Sequence, residues 1–324
     1  MARVILVVFD GVQTLDVTGP AEVFGTSRRH APELSTYDVV VAARGARKTK
    51  TTSGIVMRTR DLLRIKPRAS DTILVAGGEE SAVAAAIEDA ALRRWLLRAS
   101  RVAFRIGSVC SGAFVLAATG LLDGLRVATH WSACDRLGAF RPRLTVDRDA
   151  IFVQQGRVWT SAGVTTGIDM ALAMVEADHG AALADAVAAR LVLYARRPGF
   201  QSQFSDALVA QTRASDPLGP AIAWARAHLR DAEVTSMARH AGMSVRTFHR
   251  RCAEVLGTTP AKLVERLRVE HARTLLATAD VPAKTLAATC GFGTPVRMNR
   301  AFERTLGVLP RDVKLLFDRR RRPE

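Results

Sequence analysis

A chain of 324 residues, 48% of them apolar, is too long for one ordinary hydrophobic core and has enough apolar material to fill two or three. No apolar run reaches the ~18–20 residues that cross a bilayer, and Cys110, Cys134, Cys252 and Cys290 lie far apart without a C-x-x-C pair, which argues against a zinc site or a disulfide framework. The net charge of +16 is unevenly spread: from Gly219 onward 20 Lys/Arg face 10 Asp/Glu, so the last third is expected to meet a polyanion.

The opening Val4-Ile5-Leu6-Val7-Val8-Phe9-Asp10 meets an acid after a short apolar run. It reads as a buried strand rather than a secretory signal, which points to a cytoplasmic protein. Strands are predicted over 4–9, 37–42, 72–76, 102–106 and 158–160, and helices over 82–99, 112–119 and 167–179. Hairpin strands are added at 54–57 and 150–154. Short β-branched runs alternating with Ala/Leu-rich segments specify an α/β domain with a doubly wound, mainly parallel sheet over 1–195. Residues 196–219, rich in Arg, Pro, Gly and polar side chains, read as a linker. An all-α domain follows over 220–318, and 319–324 form a basic tail.

Within the first domain, Ile106-Gly107-Ser108-Val109-Cys110-Ser111-Gly112-Ala113 follows a predicted strand and precedes a helix. Small residues around a nucleophile type permit a sharp strand-to-helix turn that aims Cys110 at a cleft. A helix N-terminus beside the sulfur is expected to favour the thiolate. The Ser111 N–H, with an N–H from Ala76-Gly77-Gly78, is a candidate oxyanion donor. His130 in Ala128-Thr129-His130-Trp131 is a candidate base or orienting group, and Asp16 in Leu15-Asp16-Val17-Thr18-Gly19-Pro20 a candidate proton relay. The turn Ser161-Ala162-Gly163-Val164-Thr165-Thr166-Gly167 either adds backbone donors to the same pocket or is ordinary connection chemistry. The other three cysteines are expected in the core. His130 has no second ligand at metal-binding spacing, and no metal or cofactor is expected.

In the last domain, 234–240 reads as a helix, Ala241-Gly242-Met243 as a turn, and Ser244 as the N-cap of a second helix. There Phe248, Cys252, Val255 and Leu256 face the core. Val245, Arg246, His249 and Arg250 are left on the outer face. About fifty residues later the layout returns. Residues 284–290 form a helix, Gly291-Phe292-Gly293 a turn, and Thr294 caps a helix that opens with Pro295. Met298, Ala301, Phe302 and Leu306 make its buried stripe, leaving Val296, Arg297, Asn299, Arg300 and Arg304 outside. A packed back with an Arg/His/Asn-bearing front suits insertion into a DNA major groove.

These residues resemble those of two families. Residues from about 220 to 317, through Ala241-Gly242-Met243-Ser244, Gly291-Phe292-Gly293-Thr294-Pro295 and Arg300-Ala301-Phe302, resemble the AraC/XylS DNA-binding domains. That resemblance implies recognition helices at 244–255 and 294–305 joined by a long helix at 260–277; Cys252 and Met298 depart from its usual aromatic residues. Residues 3–195, through Asp16, Gly19-Pro20, Gly77-Gly78, Cys110-Ser111-Gly112 and Thr129-His130-Trp131, resemble the ThiJ/PfpI superfamily of class I glutamine-amidotransferase-like, flavodoxin-like folds. The order of the two is similar to that of GlxA-type transcription regulators. It implies binding to double-stranded promoter DNA and a small effector, such as an amino acid or other nitrogenous metabolite. Asp16, Gly78, Cys110, Ser111 and His130 would line the effector site, and the front domain would form a homodimer. The competing readings are a cysteine-dependent hydrolase or isonitrile-hydratase-like enzyme, and a thiol-based redox sensor, both working through Cys110.

Overall fold

The computed structural model describes residues 2–34, 37–45, 48–148, 150–193, 196–197, 199, 217–256, 258–306 and 308–314. The chain divides into two compact units, Met1–Gln203 and Phe204–Glu324. The basic tail at 319–324 and most of the predicted linker lie outside the described residues.

The front unit is built on seven strands: β1 (Ala2–Val7), β2 (Tyr37–Ala43), β5 (Arg60–Asp61), β6 (Thr72–Val75), β7 (Arg105–Val109), β10 (Phe152–Gln155) and β11 (Val158–Ser161). Their order is β10-β11-β7-β6-β1-β2-β5, parallel throughout except for the β10–β11 hairpin. The central β2-β1-β6-β7-β11 run is the flavodoxin-like 2-1-3-4-5 order, which reverses direction beside β1. A side hairpin pairs β3 (Lys48–Lys50) with β4 (Val56–Arg58), and β8 (Arg126–Val127) pairs with β9 (Thr145–Val146).

Alternation along β1 divides the core. Ile5 and Val7 pack with Val83, Trp95, Leu96 and Leu116 beneath α2 (Glu80–Glu88), α3 (Ala90–Val102) and α4 (Gly112–Ala117). Val4 and Leu6 face Val23, Phe24, Met170 and Met174, from α1 (Thr14–His30) and α6 (Thr166–His179). On the first face α5 (Cys134–Phe140) adds Leu137, and on the second α7 (Ala181–Arg190) adds Ala184 and Val187.

Three local expectations shift. The helix expected over 82–99 is two helices, because the Asp89 carboxylate accepts from the N–H groups of Ala91 and Leu92 at 3.0 and 3.1 Å and caps α3. The strand expected at 102–106 begins only at Arg105; Val102 ends α3 and is 47% exposed, since the Leu92–Trp95–Leu96–Ala99 stripe carries the helix that far. The first strand ends at Val7, two residues early.

The second unit contains α8 (Leu218–Ala227), α9 (Val234–His240), α10 (Val245–Leu256), α11 (Pro260–Thr278), α12 (Ala283–Thr289) and α13 (Pro295–Leu306). Leu218 and Gly219, expected to end the linker, are already helical and buried with Ala221, Ile222 and Ala225.

Candidate functional site

Four loops meet at the carboxyl ends of neighbouring parallel strands, where open α/β sheets form their ligand crevice. Asp16 follows β1, Gly77 and Gly78 follow β6, Cys110 follows β7, and Val164 follows β11. Asp16, 1% exposed in the first turn of α1, joins three of them. Its Oδ1 accepts from the Val164 N–H at 2.7 Å, its Oδ2 from the Gly77 N–H at 3.1 Å, and the Cys110 thiol donates to it as well.

The backbone is forced into this arrangement. Cys110 has φ 56° and Val164 φ 52°. The left-handed region costs non-glycine residues of order 1–3 kcal/mol and persists only where surroundings hold it. A β-carbon on Gly163 would lie 2.1 Å from Cys110 Cβ, and one on Gly77 would lie 2.7 Å from Ser111 N and 2.8 Å from Asp16 Oδ2. Glycine is required at both places by close approach. The Thr129 hydroxyl ties down the elbow by donating to the Cys110 carbonyl at 3.0 Å.

The electrostatics reverse the expectation of a thiolate. Burial pushes the Cys110 thiol up to about 12, and the Asp16 charge pushes the same way, outweighing the hydrogen bonds from the Ser111 N–H and hydroxyl. The helix behind it, α4, is only six residues long, too short a dipole to overcome burial. Burial also raises Asp16 from an ordinary 3.8 to about 6, against the opposing pull of Val164, Gly77 and Cys110. At neutral pH the pair is a carboxylate beside a protonated thiol.

Ser111 and Gly78 join the cluster. The Gly78 N–H donates to Ser111 Oγ at 3.1 Å, and that hydroxyl lies 3.2 Å from the Gly78 carbonyl. With the Gly77 N–H on Asp16, the Gly78 N–H on Ser111 and the Ser111 N–H on the Cys110 sulfur, the expected oxyanion donors are already engaged. Among the described residues His130 makes no hydrogen bond to the thiol: its Nδ1 is 2.8 Å from Ser132 Oγ and accepts the Ser132 N–H at 3.4 Å, and burial lowers its pKa. Trp131 is half-exposed beside His130, and Trp159 is buried. Cys134, Cys252 and Cys290 are all buried. Among the described residues no group of three or more His, Cys, Asp and Glu gathers to hold a metal.

Two contributors escape sequence reading. Val164 has no polar side chain to signal it and acts through its N–H. Arg197 sits in what reads as linker, yet it is clamped to the turn that carries Val164. Its backbone N–H and guanidinium donate to Asp169 at 3.1 and 2.6 Å, and its Nη2 also donates to Thr165 Oγ1 at 3.0 Å. Arg196 beside it pairs with Glu176 and Asp185.

In the second unit the two half-repeats are built alike. Helices α9 and α12 end on left-handed glycines, Gly242 at φ 64° and Gly291 at φ 79°. The following N–H groups, of Met243 and Phe292, return to the carbonyls of Ala238 and Ala287, both at 2.9 Å. Ser244 Oγ then accepts from the Thr247 N–H at 3.2 Å and Thr294 Oγ1 from the Arg297 N–H at 3.3 Å, starting α10 and α13. The second turn is one residue longer. Phe248, Cys252 and Leu256 on α10, and Met298, Phe302 and Leu306 on α13, are buried. Val245, Arg246, His249 and Arg250 are exposed together on α10, as are Val296, Arg297, Asn299, Arg300 and Arg304 on α13. Among the described residues Arg304 is the one of these bound to another helix, through a fork onto both Glu265 oxygens of α11 at 3.2 and 2.5 Å. The 19-residue α11, about 28 Å long, carries one reader to the other.

Comparison with known proteins agrees with both halves. The DJ-1/PfpI family profile matches residues 2–177 and a helix-turn-helix domain profile matches 237–315. The HTH-type transcriptional regulator GlxA of Rhizobium meliloti is 31% identical over 279 residues, 86% of this chain and 85% of that one. The isonitrile hydratase of Pseudomonas putida is 31% identical over 198 residues, 61% of this chain and 81% of that one. A crystal structure of a ThiJ/PfpI family protein from Pseudomonas syringae has a TM-score of 0.55 at 23% identity, covering 75% of this chain and 91% of that one, and shares the fold. A capped, duplicated DNA reader following a DJ-1/PfpI sheet, matched over most of its length by a regulator, places the chain in the DJ-1/PfpI family as an AraC-type helix-turn-helix transcription regulator.

Proposed function

We propose that the front unit, through residues 1–195, binds a small nitrogenous metabolite, an amino acid or related amine, in the crevice around Asp16 and Cys110. A cytoplasmic homodimer, joined through that unit, then presents its recognition helices to operator half-sites according to occupancy. The observation that carries this is the Asp16 carboxylate: buried at the carboxyl ends of the strands, held by N–H and S–H donors, and without an ion pair among the described residues. A buried anion without a countercharge complements an ammonium group. Gly78, Ser111 and His130 complete the rim. The protein works without turnover in this reading, because its thiol is held protonated and its oxyanion donors are engaged. The same protonation slows oxidation and weakens the redox-sensor reading.

DNA is read by Val245, Arg246, His249 and Arg250 from α10 and by Val296, Arg297, Asn299 and Arg300 from α13, with Arg-to-guanine and Asn-to-adenine pairs supplying base preference. Arg304, held by Glu265, sets the pose of α13. Occupancy reaches the connecting segment at 196–219 through the turn that Asp16 holds by Val164 and that Arg197 grips by Thr165 and Asp169. A ligand acts only by favouring one arrangement of that turn over another.

The test is sequencing of genomic DNA captured by the purified chain, beside an Arg297→Ala/Arg300→Ala variant. Sharp enrichment of a few promoters, lost in the variant, is expected; amines tested on those promoters should then shift affinity in the wild type and not in Asp16→Asn. Salt-sensitive capture without preferred sites would overturn specific recognition, and an equal amine response in Asp16→Asn would overturn the effector site.

A further inference from the structure

We propose that the front unit carries a second ligand site, for a small anion bearing two or more phosphate groups, along the β5 edge of the sheet. A cavity of about 810 Å³ opens there, lined by Arg3, Arg60, Arg64, Lys66 and Arg68, with Asp61 as its one carboxylate. That volume lies in the range of small-ligand pockets, ~300–1,000 Å³. It is separate from the Asp16 crevice: its lining shares no residue with that cluster, and Arg3 stands on the β1 face of Ile5 and Val7, whereas α1, which carries Asp16, packs on the opposite face.

The wall is fixed from behind. Arg3 donates to buried Asp71 through Nε at 2.9 Å and Nη2 at 2.7 Å, and the same Nη2 donates to the Lys66 carbonyl at 2.8 Å. The Arg68 N–H donates to Asp71 at 2.8 Å, and the Trp95 indole N–H to the Ile65 carbonyl at 3.0 Å. Asp61 accepts the Leu63 N–H at 3.1 Å and meets Arg64 at 3.5 Å. Asp71 and Asp61 therefore answer Arg3 and Arg64, while Arg60, Lys66 and Arg68 form no ion pair among the described residues.

Three cations with no ion pair among the described residues, around a concavity whose backbone is pinned by part-buried bonds to Asp71 and Trp95, make a preorganised anion site. Arginine forks and a lysine point charge suit phosphate oxygens. A single phosphate leaves at least one cation unmatched, and two or three bridged phosphates match the set. The concave shape selects a free anion over a DNA backbone, which needs a strip of contacts along the surface.

The experiment titrates sodium tripolyphosphate into the full chain by calorimetry at fixed salt. It compares the wild type with Arg60→Ser/Lys66→Ser/Arg68→Ser, and with Arg297→Ala/Arg300→Ala on the helix-turn-helix face. One saturable site is expected in the wild type, weakened at least about tenfold in the triple variant and unchanged in the other. All three substituted side chains are exposed, and hydrogen exchange over 59–71 reports both that the loop remains folded and that tripolyphosphate protects it in the wild type. Unaltered binding in the triple variant overturns the site. So does loss that follows Arg297 and Arg300 instead. A triple variant that loses duplex-DNA affinity, while the wild type shows no saturable tripolyphosphate binding, assigns the patch to DNA and overturns the free-anion reading.

Discussion

Replacing Asp16 by Asn tests whether burial or hydrogen bonding governs the crevice. In the folded chain the Asp16 carboxyl is raised from 3.8 to about 6, chiefly by burial. Below pH 3.8 both folded and unfolded chains are protonated at this position and ionisation contributes nothing. As pH climbs toward 6 the unfolded chain ionises while the folded one keeps its proton, so stability falls with rising pH. At ~1.4 kcal/mol per pH unit the loss is about 3 kcal/mol, complete just above pH 6. Asn cannot ionise and lacks this slope. It brings a pH-independent cost of about 1–3 kcal/mol instead, because its amide NH2 faces either the Val164 or the Gly77 N–H. Every other titrating group is common to both proteins and cancels. Denaturant unfolding of both, from pH 4 to 8, is followed by tryptophan emission; Trp95, Trp131 and Trp159 lie in the front unit. The stability of wild type minus variant should fall by about 2.5 kcal/mol across pH 4–7 and then level off. Parallel pH profiles would refute the argument, and a difference that grows with pH would mean that the N–H donors outweigh burial.

Other consequences are measurable in the same way. With its thiol near 12 against an ordinary 9, Cys110 should hold about a thousandfold less thiolate than a free cysteine, so native-state iodoacetamide labelling at pH 8 should be far slower than in the denatured chain and faster in Asp16→Asn; rapid native labelling would contradict the pairing. Gly242→Ala should cost about 1–2 kcal/mol for left-handed backbone alone, having no atom within 4 Å of the added carbon. Gly291→Ala should cost clearly more, because its carbon would fall 2.2 Å from the Leu229 carbonyl oxygen and 2.8 Å from Arg268 Nε; equal losses in thermal unfolding would show the second turn to be freely adjustable. Arg197→Ala should leave basal operator affinity within about twofold while removing most of the effector-induced shift in a fluorescence-anisotropy titration, and an undiminished shift would sever the proposed route from Asp16 to the connecting segment.

Local sequence decided whatever short-range physics decides. Glycine at a helix end, Ser or Thr at the next N-cap and an apolar stripe at helical spacing are complete instructions within a dozen residues. The two readers therefore emerge with α9 over Val234–His240 and their basic faces exposed, as their spacing implies. Alternating β-branched and helical segments likewise specify the parallel sheet, and small residues around Cys110 specify its elbow. The helix α1 was less legible: Gln13 offers no side-chain cap, and Gly19-Pro20 interrupts the periodic signal, at the point where Ile168 packs closely on Gly19.

Tertiary structure decided the chemistry. Sequence placed Cys110 beside a helix start and Asp16 and His130 as its partners, but only the folded sheet sets which of them meets the sulfur and how dry the meeting is. Asp16 meets it; His130 turns to Ser132. Desolvation depends on everything packed around a group, not on its sequence neighbours, so a thiol expected to ionise is held protonated. A backbone N–H such as that of Val164 carries no residue-type signature, and Arg197 gains its partners, Asp169 and Thr165, only when the chain returns across the start of α6. What a residue is can be read from the sequence; the dielectric it sits in, and the donors that reach it across the fold, exist only once the strands have closed side by side.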